Sequence, residues 1–540
     1  MSCPSHDAVV IGAGHNGLVA ANLLADRGWD VVVLESQPTA GGAVQSDLKD
    51  GFVHDVFSAF YPLAASSPVL RGLGLEAYGL TWTRAPVVLA HVLTDGRCAA
   101  LSTDPAETAS SLEQFAPGDG DRWLAFFEDW QRIGQDVLAA LFTPFPPVGA
   151  GSRLVARLGM EDTLRFARRC LLPVRRLGEE DFAGEGARLL LAGNALHADL
   201  APEDVLSGFF GWLLTCLGQD LGFPVPVGGA YRLIDALVAR LEDRGGRVEL
   251  GAEVSKVTLE GDTASGAETV DGRYFGARRA VLADVGAPQL FSRLVGEDAL
   301  PADFLEDLSR FQYDNATVKV DWALDAPVPW KAAAARRAGT VHLADSVDSL
   351  TRYNTDMVTG RLPSDPFLVV GQMTTADPSR SPDGTESLWA YTHIPQSVDH
   401  GGRFEGEWDK ETLSVVVNRM EDKIEACAPG FKELVDRRSV LGPVEMQAIN
   451  PNLVGGAING GTAALYQQLV FRPVPSLGRP QTPIKRLFLA SASAHPGGGV
   501  HGIPGSNAAR AALLQGRVRT AAAALAGVAL GAGIVRRGRH

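Results

Sequence analysis

Asp7-Ala-Val-Val-Ile-Gly12-Ala-Gly14-His-Asn-Gly17 decides the reading of this chain. Its first half is a continuous apolar run closed by glycine, the pattern of a short parallel strand buried on both faces. The Ala- and Leu-rich stretch through Leu23, Leu24 and Ala25 to Gly28 predicts a helix, and Val31-Val-Val-Leu-Glu35 predicts a second strand. The glycines have separate jobs. Gly12 permits the tight turn out of the strand, Gly14 lets backbone approach a pyrophosphate, and Gly17 lets the helix pack closely on the strand. The helix start offers free N–H groups and the positive end of a dipole. Glu35 ends the second strand eighteen residues after Gly17, where a carboxylate can accept from both ribose hydroxyls of an adenosine. Strand, glycine loop, helix and acid together predict a Rossmann-type dinucleotide site.

The motif alone leaves the nucleotide open between NAD and FAD. A glycine pair follows the acid, in Gly41-Gly42-Ala43, and predicts a second close backbone approach to a longer cofactor. A second unit of the same kind stands near the opposite end. Arg486-Leu-Phe-Leu-Ala490 predicts a buried strand, His495-Pro-Gly497-Gly498-Gly499-Val500-His501-Gly502-Ile-Pro-Gly505 a loop, and Ala508–Leu514 a helix. Five glycines cost backbone entropy, so a flat, bulky group is expected against this loop. The helix behind it would stabilise negative charge on a reduced flavin. In between, Pro226-Val-Gly228-Gly229-Ala230 leads into a helix, and strands through Val248, Val254 and Val257 return the chain to the nucleotide domain, with Val254 expected near the adenine. The cofactor predicted is FAD.

These segments resemble the phytoene-desaturase-like flavoproteins, within the wider amine-oxidase and glutathione-reductase-type FAD class. Gly12-Ala-Gly-His-Asn-Gly-Leu-Val-Ala-Ala, Gly41-Gly-Ala, Pro366-Phe-Leu-Val-Val-Gly-Gln372, Leu388-Trp-Ala-Tyr-Thr-His393 and His495-Pro-Gly-Gly-Gly-Val500 look especially like the branch of pyridine nucleotide-disulphide oxidoreductase domain-containing proteins. The resemblance spans residues 5–520 and implies non-covalent FAD and hydride removal from a C–C, sometimes C–N, unit. Two departures stand out. The chain lacks the cysteine pair that the branch name implies, and it carries Gly41-Gly42-Ala43 where carotene desaturases usually carry Gly-Gly-Arg or Gly-Gly-Lys.

The fold class expected is α/β: a discontinuous Rossmann-type FAD domain (1–75, 225–290 and 445–520) interleaved with a substrate domain of mixed sheet and helical cap (76–224 and 291–444), then a tail at 521–540. The helical patterns Trp123–Trp130 and Leu206–Trp212 belong to the cap, and the runs Ala316–Trp322 and Phe367–Val370 to the sheet. Ligands of such proteins usually occupy an apolar cleft between domains. Candidate cleft residues are Phe57, Phe60, Tyr61, Trp389, Tyr391 and Tyr466, for each of which core packing is the competing reading. His495 and His501 flank the glycine loop and are the candidate acids or bases, since imidazole titrates near neutral pH, with shaping of the loop as the competing reading for His495. The cofactor-binding set is Gly12, Gly14, Gly17, Glu35, Gly41, Gly42, Ala43, Val254, Gly498, Gly499, Val500 and Gly505. No metal-ligand spacing is present.

Composition sets the outer limits. Among 540 residues, 46% are hydrophobic and 21% charged, ordinary for a globular enzyme. Lys and Arg number 49 against 63 Asp and Glu, a formal charge of −14, which repels nucleic-acid phosphates. Five scattered cysteines form no Cys-x-x-Cys pair, which fits a reducing cytoplasm. The chain starts almost directly on a strand, leaving no room for a signal peptide. Ala521–Val535 is uncharged and flanked by arginines, predicting a terminal helix that packs on the body or docks at a membrane surface. The function expected is an FAD-dependent oxidoreductase acting on a largely apolar small molecule, with oxygen or a quinone as electron acceptor. An FAD-dependent isomerase and a flavin-binding scaffold are the alternatives.

Overall fold

The computed structural model describes residues 5–396, 408–475 and 478–516. The Ala521–Val535 helix, and with it the tail and its membrane contact, lie outside them. Two seven-stranded sheets organise the described residues. In the first, Arg247–Glu249, Val31–Leu34, Ser5–Ile11, Tyr274–Ala283 and Leu487–Leu489 run parallel in that order. The antiparallel ribbon Val254–Glu260 and Thr263–Thr269 joins the start of Tyr274–Ala283.

Period-two alternation explains why these strands read as unbroken apolar runs. Val10, Val31, Val33, Leu282 and Phe488 face one way, onto the helices His15–Ala25 and Tyr231–Asp243 and the helix 503–516. Val9, Ile11, Val32, Leu34, Val281 and Leu489 face the other way, onto Val254, Val257 and Phe291. Residues at both ends of the sequence therefore share one sheet, and all five parallel strands end at the same edge. Ligands bind at that carboxyl edge in open α/β sheets.

The second sheet has the order Val435–Leu441, Ala316–Leu324, Glu386–Ile394, Leu368–Gln372, Ala338–Leu343, Val87–Val92, Cys98–Leu101. It is antiparallel except where Ala338–Leu343 pairs with Val87–Val92. One face, carrying Val318, Val320, Trp322, Leu388, Val370 and Val341, packs on the helix Lys410–Cys427. On the opposite face the register forms a cross-strand row, His91–His342–Val369–Tyr391–Lys319. Helices Asp119–Leu141, Glu185–Leu196 and Ser207–Leu221 cover this side through Trp123, Leu190, Trp212 and Leu213. The mixed sheet and helical cap expected from the sequence are both present. Among the described residues no helix is long and apolar enough to cross a membrane.

Candidate active site

The two sheets leave a cavity of about 570 Å³ between them, which falls within the usual range for small-molecule sites. It starts at the carboxyl ends of the parallel strands, passes the two glycine loops, and ends between the second sheet and the cap helices.

At the first end the walls are largely backbone. Gly12, Gly14, Gly42 and Ala43 lie along it, with Gly498, Gly499 and Val500 from the distant loop. Gly14 starts the helix His15–Ala25 without any side-chain cap. A Cβ at Gly14 would come within 2.6 Å of Asp284 Oδ2, and one at Gly498 within 2.8 Å of the Asn459 carbonyl. Glu35 closes this end beside Val254, with Oε2 accepting from Ala13 N at 2.8 Å and Oε1 from Gln37 N at 2.9 Å. Asp284 directly follows the strand Tyr274–Ala283 and accepts from Gly17 N at 2.8 Å. Burial, reinforced by the Glu35 charge, pushes its carboxyl up to about 7 against that hydrogen bond.

Several predicted residues hold the loops from behind and do not line the cavity. Gly17 and Gly505 are contact points between elements. A Cβ at Gly17 would meet the Gly12 carbonyl at 2.1 Å, and one at Gly505 the Asn16 carbonyl at 1.9 Å. Gly41 donates to the Ala13 carbonyl at 3.0 Å, tying the second loop to the first.

The two candidate histidines separate. His501 lines the cavity and is buried, with Nδ1 accepting from Ile503 N at 3.2 Å. Burial, together with His15 nearby, lowers its pKa to about 3, so it is a neutral Nε2–H donor near pH 7. His495 is not a cavity wall: Nε2 bonds the Thr143 carbonyl at 3.0 Å, and burial lowers its pKa. That contact makes it a loop anchor, the competing reading, and takes it out of the candidate acids and bases on the cavity wall.

At the other end side chains form the walls. Tyr61, Trp389 and Tyr391 line it, as do Phe57 and Phe60. Tyr466 does not: it is 65% exposed, with its hydroxyl on Gln312 Oε1 at 2.6 Å. Its short helical turn Leu465–Gln467 puts the ring outward, which removes it from the cleft set.

The floor also holds residues that sequence reasoning passed over. Lys319 is the only lysine on the wall among the described residues. Its Nζ donates to Asp321 and lies 5.8 Å from the centre of the Trp389 ring. Burial raises Asp321 to about 6, with Lys319 pulling the other way. The alternation of Thr317, Lys319 and Asp321 with valines was the available signal, because it marks one polar face of a strand. Asn194 and Thr340 also line this end, and no local pattern singles them out; His197 lines it too, a residue whose segment Gly193–Asp199 is family-like in sequence and reads more readily as a structural histidine.

The residues present fit an extended flavin nucleotide. The loops offer close backbone approach, the uncapped helix start offers N–H groups, and Glu35 offers lone pairs at the strand end. Asn16 Oδ1, His15 Nε2 and Asn459 Nδ2 are buried without partners around the same loops. Buried polar atoms in that state call for a ligand or ordered water.

Comparison with known proteins agrees. The family profile described as flavin containing amine oxidoreductase matches residues 17–512. The chain is 29% identical to pyridine nucleotide-disulfide oxidoreductase domain-containing protein 2 of Mus musculus, covering 94% of this chain and 93% of that one. It is 24% identical to the lycopene-forming phytoene desaturase of Pseudescherichia vulneris, covering 94% and 98%. Its fold is similar to a solved oxidoreductase of Methanosarcina mazei, with TM-score 0.62 at 17% identity over 94% of this chain and 99% of the other.

Proposed function

Because this chain belongs to the flavin containing amine oxidoreductase family and is an FAD-dependent oxidoreductase, we propose that it oxidises a largely apolar small molecule by taking hydride from a C–C or C–N unit. The observation that carries this reading is the continuity of one cavity, from Glu35 and Val254 past both glycine loops to Trp389, Tyr391 and Lys319. FAD supplies the hydride acceptor at its N5, and oxygen or a quinone removes the electron pair.

The chain's residues divide the remaining work. Glu35 would hold the ribose, Gly12–Gly14 and the helix start the pyrophosphate, and Ala43 with Gly498–Val500 the ring system. Val254 would pack by the adenine. Tyr61, Trp389 and Tyr391 would pack an apolar substrate and exclude water. Lys319 is a fixed donor in that end of the cavity, anchored by Asp321. His501 would donate a hydrogen bond from its place in the loop; its depressed pKa argues against a role as a proton-carrying acid. Positioning and electrostatics then outweigh covalent catalysis. The domain boundaries proposed are 1–75, 225–290 and 445–520 for FAD, and 76–224 and 291–444 for substrate.

The test is anaerobic reduction of the purified holoenzyme by a panel of cyclic alkenes, their alcohols and apolar amines. Bleaching of the oxidised flavin band by one of them, restored by oxygen or a quinone, is the expected result. A fully loaded flavin that none of them reduces, with isomerisation of an alkene instead, would replace this reading with the isomerase.

A further inference from the structure

Four polar side chains at the cap end of the cavity have no part in holding FAD. Asn194 is fully buried on the helix Glu185–Leu196. Its Nδ2 donates to the Leu190 carbonyl at 2.8 Å, which fixes the amide orientation and leaves Oδ1 as an unpartnered acceptor. Thr340, 1% exposed, has an unpartnered hydroxyl. Both line the cavity, and so does His197. His197 follows Asn194 by three residues, so the two share one side of the helix end. Thr340 lies two residues from His342 on one strand, and hence on the same sheet face.

His342 decides what His197 presents. Their Nε2 atoms are 2.7 Å apart, so one proton lies between them. Burial lowers both pKa values, that of His197 to about 4, so both rings are neutral near pH 7 and only one donates. His342 Nδ1 faces Gly193, where an added Cβ would stand only 2.4 Å away, and it has no partner. A proton there would be a buried, unanswered N–H against carbon, and such orphans are rare. His342 therefore carries its proton on Nε2 and donates it. His197 accepts at Nε2 and bears its own proton on Nδ1, the ring nitrogen not engaged with His342. Cap and sheet together thus offer one fixed acceptor, one fixed donor and one rotatable hydroxyl, beside the apolar wall residues Phe210, Leu213 and Leu214.

We propose that Asn194, His197 and Thr340 form an uncharged subsite for a hydroxyl group on an otherwise apolar substrate, with His342 as the positioning residue. The proposal rests on the reading of this cavity end as the substrate cleft. A hydroxyl donates to Asn194 Oδ1 and accepts from His197 Nδ1–H, satisfying both. A ketone answers only the donor, a hydrocarbon neither, and a carboxylate is repelled by Asn194 Oδ1.

The experiment titrates wild-type holoenzyme with decalin, decalone and decalol and follows the perturbation of the visible flavin band. Decalol is expected to bind about tenfold more tightly than decalin, with decalone between them, as one or two neutral hydrogen bonds imply. Asn194→Leu should lower decalol to the affinity of decalone, and His197→Phe should lower decalone to the affinity of decalin, each cutting the decalol-to-decalin ratio about threefold while keeping the flavin spectrum. His342→Leu should do the same as His197→Phe, and His342→Gln, which can still donate to His197, should restore the preference. Equal binding of the three probes by wild type, or no perturbation by any of them, overturns the proposal. Flavin reduction by a hydrocarbon in the panel above would leave the oxidoreductase reading standing without it.

Discussion

The two ends of the cavity are built by opposite means. Around Gly12–Gly14 and Gly498–Val500 the wall is backbone, and the space there exists because side chains are missing. Between the second sheet and the cap the wall is side chain, and its chemistry depends on which residues the register brings to one face. The first arrangement tolerates almost no added atom, whereas the second can change its ligand by exchanging one residue. That contrast explains how a chain can keep a cofactor site while its substrate pocket diverges.

The sharpest way to break the contrast is to add atoms at the backbone end. Gly505→Val would drive a side chain into the Asn16 carbonyl, where even a Cβ has only 1.9 Å. The expected outcome is loss of visible flavin from the purified protein and destabilisation above about 3 kcal/mol, read by absorbance and thermal melting. Retention of normal flavin content would mean that the two loops do not depend on that contact.

Next comes the buried acid behind the first loop. Asp284 is held near 7 against an ordinary value of 3.8. Between those values the folded protein keeps the proton and the unfolded chain loses it. Stability therefore falls as pH rises through that window, by up to about 4 kcal/mol at this shift. Asp284→Asn keeps an acceptor for Gly17 and removes the titration. Between pH 5 and 8 the variant apoprotein should therefore lose about 2.5 kcal/mol less stability than wild type, read by denaturant unfolding at the two pH values.

A smaller effect is expected at Glu35, whose carboxylate ties the first loop to the end of Val31–Leu34. Glu35→Ala should weaken FAD binding about 10- to 100-fold, the loss of one charge-assisted hydrogen bond or slightly less. Fluorescence titration of apoprotein measures it. Unchanged affinity would place the ribose elsewhere. At the bottom of the scale, Tyr466→Phe should shift stability and flavin reduction by less than about 0.5 kcal/mol, because the ring stands in solvent. A larger effect on reduction would return Tyr466 to the cleft.

The legibility of the site follows the same division. The backbone-lined end was readable because a glycine loop between strand and helix is a local pattern, and each part constrains its neighbours in sequence. Even there the pattern overreached. Gly41 and Gly505 stand in the motifs, yet they pack elements together behind the wall, as Gly17 does in the role its place in the motif assigns. Asp284 was missed because the acid at the end of a central strand follows no spacing from the glycines it serves. At the other end, Trp389 and Tyr391 were found as aromatics and Tyr466 was chosen by the same criterion. Only burial separates them.

The sequence by itself determined that two strand–loop–helix units flank the chain and that their strands are buried on both faces, since periodicity and glycine placement are local properties. Which atoms face the cavity was decided by tertiary structure alone. Lys319, Tyr391, Val369 and His342 come from four strands between residues 316 and 394 and meet through cross-strand register. His197 acquires its donor nitrogen from a residue 145 positions away. Register and tautomer are set by partners distant in sequence, so no local spacing encodes them.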